Sequence, residues 1–264
     1  EGRVLEDGFV MSSLNALSHE VNKKGYFLMI NTTADIREIP VFASMWNMDG
    51  LILMGFCEAD YEKLRNQMRI SFVVYDGYFE KCSKVVNLVI DHFDGAFQAG
   101  EYLKQLGHKK ALCISDNFIC MDKERIEGFG EAFAPGEVVV WLIPKFQKER
   151  KLFYEKKFAE FLDNNITAVF AVSDHYALDF MHFLQEKGIK IPDDIQMIGF
   201  DDSAASRESR PALTTIRQDP VLRAKSAIEC IEAMRDGRNC EEKILLPVEL
   251  IKRESTRELS CQNL

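Results

Sequence analysis

No apolar run in the 264-residue sequence approaches the roughly 18 residues of a membrane span, so the chain is not built to cross a bilayer as a helix. Glycine-rich phosphate loops of the GxxxxGK[ST] kind are missing, and Gly128-Phe129-Gly130 lacks both a third glycine and a preceding strand, which argues against a nucleotide enzyme. No HExxH occurs among the five histidines; His175 and His182 lie seven apart, two helical turns, too far to share one ion. GxSxG elbows and catalytic-thiol signatures are also missing, and the adjacent carboxylates Asp193/Asp194 and Asp201/Asp202 point in opposite directions on a turn or strand. The expectation is therefore a chain without catalysis, metal or cofactor.

The seven cysteines are scattered, odd in number and free of CxxC spacing, the pattern of reduced thiols in a cytoplasmic protein. The start, Glu1-Gly2-Arg3, has none of the regions of a signal peptide, and the Asn31 and Asn165 sequons then count as chance. A net charge of -9 disfavours direct grip on a phosphate backbone.

What is present is an alternation of short apolar runs with longer segments of helical period, the pattern of parallel sheets covered on both faces. The predicted strands are Phe27–Asn31, Leu51–Met54, Ser71–Tyr75, Val85–Val89, Ala111–Ser115, Val138–Leu142, Ala168–Val172 and Gln196–Phe200. A first helix is expected from about Asp7 to Lys24, ended by Gly25 because glycine takes the left-handed conformation without a Cβ penalty. Gly107 and Gly188 punctuate later helices in the same way. At this length two lobes are expected, and no Pro/Ser/Gly-rich tether joins them.

Polar residues recur just after predicted strands: Asp76, Ser173 with Asp174, and Asp201. Ligands of parallel α/β sheets bind at that edge, although a lone Ser or Asp there commonly caps the following helix instead.

Several longer motifs then follow in order: Thr167-Ala168-Val169-Phe170-Ala171-Val172-Ser173-Asp174, Gly188-Ile189-Lys190-Ile191-Pro192-Asp193-Asp194-Ile195, Ile198-Gly199-Phe200-Asp201-Asp202 and Pro211-Ala212-Leu213-Thr214-Thr215-Ile216-Arg217-Gln218. With Gly107-His108-Lys109-Lys110, Arg125-Ile126-Glu127-Gly128-Phe129 and the ending Leu246 to Thr256, they resemble the LacI/GalR transcription regulators and the related periplasmic sugar-binding proteins. The resemblance runs from about Asp7 to Arg257 and implies a periplasmic binding protein type I-like α/β fold: two similar Rossmann-like lobes with parallel sheets flanked by helices, joined by three strand crossovers. Here the crossovers would fall near Ser115–Phe118, Ile216–Asp219 and Leu245–Val248. One lobe would comprise 1–116 plus 218–245, including a long helix from Pro220 to Arg235; the other would comprise 117–217 plus 246–264.

The resemblance also implies an effector site between the lobes at Phe9, Asp76, Arg125, Phe146, Ser173, Asp201 and Gln218. For a sugar, Arg125 would supply donors, Asp76 and Asp201 would accept from hydroxyls, and Phe9 or Phe146 would cover an apolar ring face. The implied function is the effector-sensing core of a repressor, closing on a small molecule, a carbohydrate by default, and acting on operator DNA through a headpiece of about 60 residues not represented in this sequence. A homodimer is expected, with Leu51, Leu53, Met54, Phe56 and Leu64 as candidate interface residues or plain core. The alternative is a solute-binding protein of a sugar transporter or chemotaxis system. Two departures from the family pattern stand out: Glu1–Glu6 hold no strand ahead of the first helix, and Phe133–Val138 is a short connection.

Overall fold

A computed structural model of the chain describes residues 8–33, 35–55, 64, 67, 68, 70–77 and 85–257. It divides into two compact units: 1–10, 91–218 and 248–264 form the first, and 11–90 with 219–247 form the second.

The first unit is built on a six-stranded sheet. Its strands are β4 (Lys110–Ser115), β5 (Glu137–Leu142), β6 (Ala168–Ala171), β7 (Gln196–Asp201), β8 (Thr214–Gln218) and β10 (Val248–Ile251), in the spatial order β10-β8-β7-β6-β4-β5. All neighbours are parallel except β10 and β8. Parallel strands need long crossovers, supplied by α3 (His92–Gln105), α4 (Cys120–Phe133), α5 (Gln147–Asp163), α6 (Asp174–Glu186) and the short α7 (Ala204–Glu208). Residues of β4, β6 and β7 are almost wholly buried, as expected of central strands covered on both faces.

Aromatic side chains fill one side of this core: Phe180 lies 4.9 Å from Tyr154, 5.6 Å from Phe161 and 5.9 Å from Trp141 between ring centroids. Elsewhere in the unit Phe129 stacks on Phe170 at 4.7 Å. The helices α3 and α4 meet along a glycine seam. A Cβ at Gly128 would lie 2.3 Å from the Phe93 carbonyl oxygen, and one at Gly100 would lie 2.7 Å from that of Phe129. Gly128 thus belongs to helix packing, not to a phosphate loop.

The second unit carries a four-stranded parallel sheet of β1 (Leu51–Met54), β2 (Phe72–Tyr75), β3 (Val85–Ile90) and β9 (Lys243–Leu246), in the order β1-β2-β3-β9. Its helices are α2 (Glu38–Met45), α8 (Pro220–Arg235) and most of α1 (Gly8–Lys23). Gly25, at φ +81°, turns the chain out of α1 while Tyr26 N–H donates back to the Val21 carbonyl at 3.0 Å, the glycine-ended geometry expected from sequence. Asp219 caps α8 by accepting from the N–H groups of Val221 and Leu222, with Pro220 at the first turn where no donor is needed.

Two expectations need correction. Phe27–Asn31 is not a strand; no described strand lies alongside to hydrogen bond with it, and Phe27 is 96% exposed. The first lobe does not extend to residue 116: β4 hydrogen bonds to β5 and β6 and α3 packs on α4, so the chain changes unit at Ile90–Asp91. The other divides fall at Val10–Met11, Gln218–Asp219 and Pro247–Val248. Among the candidate interface residues, Leu53 and Leu64 are core, packed with Ile39, Phe72, Val74 and Val85, whereas Phe56 lies outside the described residues.

Candidate functional site

The carboxyl edge of the six-stranded sheet gathers the polar residues. Arg125 rises from α4 and is 5% exposed. Its guanidinium lies flat over Phe200 of β7, 3.7 Å from the ring centroid, and Nη1 donates to the Val172 carbonyl at 2.5 Å, just past β6. Nε and Nη2 both approach His92 Nδ1, at 3.2 and 3.1 Å. An arginine only donates, so that ring nitrogen accepts and His92 is neutral there. One cation is thus fixed between the ends of two central strands.

Beside it, Asp201 ends β7 with φ +125° and accepts from Gln218 Nε2 at 2.6 Å, which joins the ends of β7 and β8. The following Asp202 serves another purpose. Arg253, Arg217 and Arg207 converge on its carboxylate, Arg217 at 2.8 Å. Burial pushes this carboxyl up, but the hydrogen bonds from Arg253 and Arg217 outweigh it and hold it below the usual range.

The order of motifs has a scaffold explanation as well. Asp174 sits under the edge, accepting from Thr215 Oγ1 at 2.5 Å and from the Ser203 N–H at 2.7 Å. A Cβ at Gly199 would lie 2.4 Å from Asp174 Oδ1, so glycine is what lets this carboxylate reach its partners. Three of the motifs read from sequence therefore meet at one buried carboxylate. Its desolvation pushes its carboxyl up to about 6, against the pull of the Thr215 and Ser203 hydrogen bonds.

The sequence-expected residues divide accordingly. Asp201 and Gln218 come together at the ends of β7 and β8, and Arg125 is placed at the same edge by its contact with Phe200, the residue before Asp201. Ser173 is at the same edge, but its hydroxyl accepts from the Tyr176 N–H at 3.3 Å and caps α6. Phe146 precedes α5 beyond edge strand β5, with its side chain 52% exposed; three strand spacings, about 14 Å, separate β5 from β7. Phe9 is on the first turn of α1, half-buried; a Cβ at the preceding Gly8 would lie 3.8 Å from Ser203. Asp76 lies in the second unit, where its carboxylate is paired with Arg223 at 2.6 Å and the Arg223 guanidinium sits over the Tyr75 ring.

Comparison with known proteins decides the lineage. The sequence model of the family described as a periplasmic binding protein-like domain matches residues 101–256. The HTH-type transcriptional repressor PurR of Vibrio cholerae is 28% identical over 253 residues, covering 90% of this chain and 74% of the relative. The chain is a LacI-family effector-binding core. Solved structures agree in fold. A LacI family transcriptional regulator from Enterococcus faecium with bound ribose superposes with a TM-score of 0.81 at 24% identity, covering 97% of both chains. A dimeric Lac repressor with an 11-residue C-terminal deletion gives 0.84 at 19% identity, covering 94% of both.

In this LacI-family core the structure gathers further polar residues near Arg125 that sequence reasoning passed over. Asp122, one turn before Arg125 on α4, accepts from Asn117 Nδ2 at 2.7 Å and lies within hydrogen-bond reach of Ser115 Oγ at 3.4 Å. Asn117 Nδ2 also donates to Asp116 at 2.8 Å, and Asp116 accepts from the Tyr176 hydroxyl. The signal was available in part: an acidic residue three positions before an arginine shares its helix face. His92 was visible only as an isolated histidine. Among the described residues no group of three or more His, Cys, Asp or Glu is placed to hold a metal ion, and no helix is long and apolar enough to cross a membrane.

Proposed function

We propose that this LacI-family core senses a small effector, a sugar or sugar derivative, at the carboxyl edge of its six-stranded sheet, and that the bound state is transmitted by closure to DNA-binding headpieces of a homodimeric repressor. The observation that carries the reading is the placement of Arg125, Asp201 and Gln218 at the ends of neighbouring central strands. Such a set offers donors from guanidinium and amide and an acceptor from carboxylate, which is what vicinal hydroxyls require. Phe146 and Phe9 are proposed to cover apolar ring faces, with the Ser173 hydroxyl as a further polar contact. The ribose-bound regulator from Enterococcus faecium, alike in fold, supports a carbohydrate ligand. Catalysis is not part of the proposal, and a cytoplasmic location accompanies it.

The test is a thermal-shift screen of the chain against sugars, polyols and nucleobases, each hit repeated with Arg125→Ala. A ligand at 100 times its Kd stabilises the native state by about 2.7 kcal/mol, a Tm rise of roughly 5–10 °C at this size. Loss of the rise in Arg125→Ala is the expected result. A rise that survives in Arg125→Ala places the ligand elsewhere and defeats the assignment.

A further inference from the structure

Arg125 is the cation that the proposed site offers a ligand, and its surroundings bear on what charge that ligand carries. The residue is three positions after Asp122 on α4, whose first turn would ordinarily favour an anion through its unpaired N–H groups and helix dipole. Here that position already holds a carboxylate. Asp122 Oδ2 is fixed by the Asn117 amide at 2.7 Å with Ser115 Oγ at 3.4 Å, and Asn117 Oδ1 in turn accepts from the Ile119 N–H at 3.1 Å, at the residue that precedes the helix. A second carboxylate, Asp116, shares the same Asn117 amide.

The donors of Arg125 are also committed. Phosphate and carboxylate ligands are gripped bidentately by the guanidinium fork. In this chain the Nε–Nη2 side of the fork faces His92 Nδ1, and Nη1 is bonded to the Val172 carbonyl. What is left for a ligand is one N–H on each of Nη1 and Nη2, with the Nε–Nη2 side already taken. Desolvation of Asp122, partly offset by the positive charge of Arg125, raises its carboxyl above the ordinary value, in keeping with a carboxylate and guanidinium that share one electrostatic environment.

We propose that Asp122 is a specificity residue that offsets the charge of Arg125 and bars phosphorylated and other anionic effectors, so that the ligand is an uncharged polyhydroxylated molecule. The inference rests on the carboxyl edge being the effector site, and it adds a ligand charge and a residue that sets it. Phosphate esters of the same sugar meet repulsion from Asp122 and find the Nε–Nη2 side of the fork taken by His92. Neutralising Asp122 removes the repulsion and frees the first turn of α4 to receive an anion.

The experiment compares the whole chain with Asp122→Asn and, in case that variant folds poorly, Asp122→Ser, each checked by circular dichroism. Inorganic phosphate is the first probe, with potassium chloride at matched ionic strength as the control. The wild-type Tm is expected to be unmoved by 20 mM phosphate beyond the salt control, and the Asp122 variants to rise by roughly 3–5 °C, a rise lost when Arg125→Ala is added. The second probe is a set of matched pairs, ribose with ribose 5-phosphate and glucose with glucose 6-phosphate, titrated by calorimetry. For any free sugar that binds, its ester is expected to bind wild type about 100-fold or more weakly, with the gap narrowing about tenfold or more in Asp122→Asn. An ester that binds wild type as tightly as its free sugar overturns the inference while leaving the effector site standing. Where no sugar in the set binds, the carbohydrate reading loses its support and the phosphate arm still decides. A wild type stabilised by phosphate through Arg125, or Asp122 variants that gain nothing, overturns the role of Asp122.

Discussion

The two units solve the same packing problem with different means. In the first, a six-stranded sheet is sealed by an aromatic cluster in which Phe180 meets Trp141, Tyr154, Phe161 and Phe183. In the second, a four-stranded sheet rests, among the described residues, on a mostly aliphatic group around Leu53, Leu64 and Phe72 and another around Leu17 and Ala224. Each also buries an arginine at 1% exposure against an aspartate: Arg150 with Asp179 in the first unit, Arg223 with Asp76 in the second. The first unit is the one that carries Arg125, Asp201 and Gln218. A recognition edge needs side chains held to within fractions of an ångström, and a densely packed sheet provides that.

The largest effect that would break this contrast is in the cores. Phe180→Ala should cost about 3–5 kcal/mol, as expected for deleting a fully buried aromatic. Leu53→Ala should cost about 2–3 kcal/mol at the low end of the aliphatic range. Urea melts followed through Trp141 in a Trp46→Phe background would report the first unit, since Trp141 is buried within that cluster. Equal losses at the two sites would show that the cores do not differ in the way described.

Next come the ion pairs. Removing either arginine strands a carboxylate in a buried place, so Arg150→Ala and Arg223→Ala should each cost about 3 kcal/mol. Chemical denaturation of the single variants, and of Arg150→Met/Asp179→Leu and Arg223→Met/Asp76→Leu, separates charge stranding from lost packing. The double apolar variants should recover most of the loss. Failure to recover would mean that the pairs fix a geometry which apolar side chains cannot reproduce.

The smallest effect is in pH. Burial raises the Asp174 carboxyl to about 6 in the folded chain, against about 3.9 unfolded. Folding therefore favours its protonated form. The associated stability is complete below about pH 4 and is lost as pH rises through 6. Stability measured between pH 4 and 7 should decline less steeply in Asp174→Asn than in wild type. An unchanged slope would assign the decline to other groups.

Much of this architecture was legible. Seven of the eight predicted strands are strands, α1 ends at Gly25 and α8 spans Pro220–Arg235, because periodicity, glycine and proline act within a few residues. Phe27–Asn31 failed because a strand is a relation between segments: its composition suits a sheet, yet no described strand pairs with it. The unit boundary failed for a related reason. Nothing local in Lys110–Ser115 says whether its hydrogen bonds go to the four-stranded sheet or to β5 and β6.

The site shows the same division. Sequence alone determined which polar residues end the strands and that Arg125 and Asp201 belong to one lineage of binding cores, since motif order and strand periodicity survive in one dimension. Only the tertiary structure decided which of these groups are already used: Asp76 by Arg223, Ser173 by the α6 cap, and most of the Arg125 fork by His92 and Val172. Hydrogen bonds and charge pairs between segments far apart in the chain depend on distances of a few ångströms, and those are set by how sheets and helices pack, not by the order of residues.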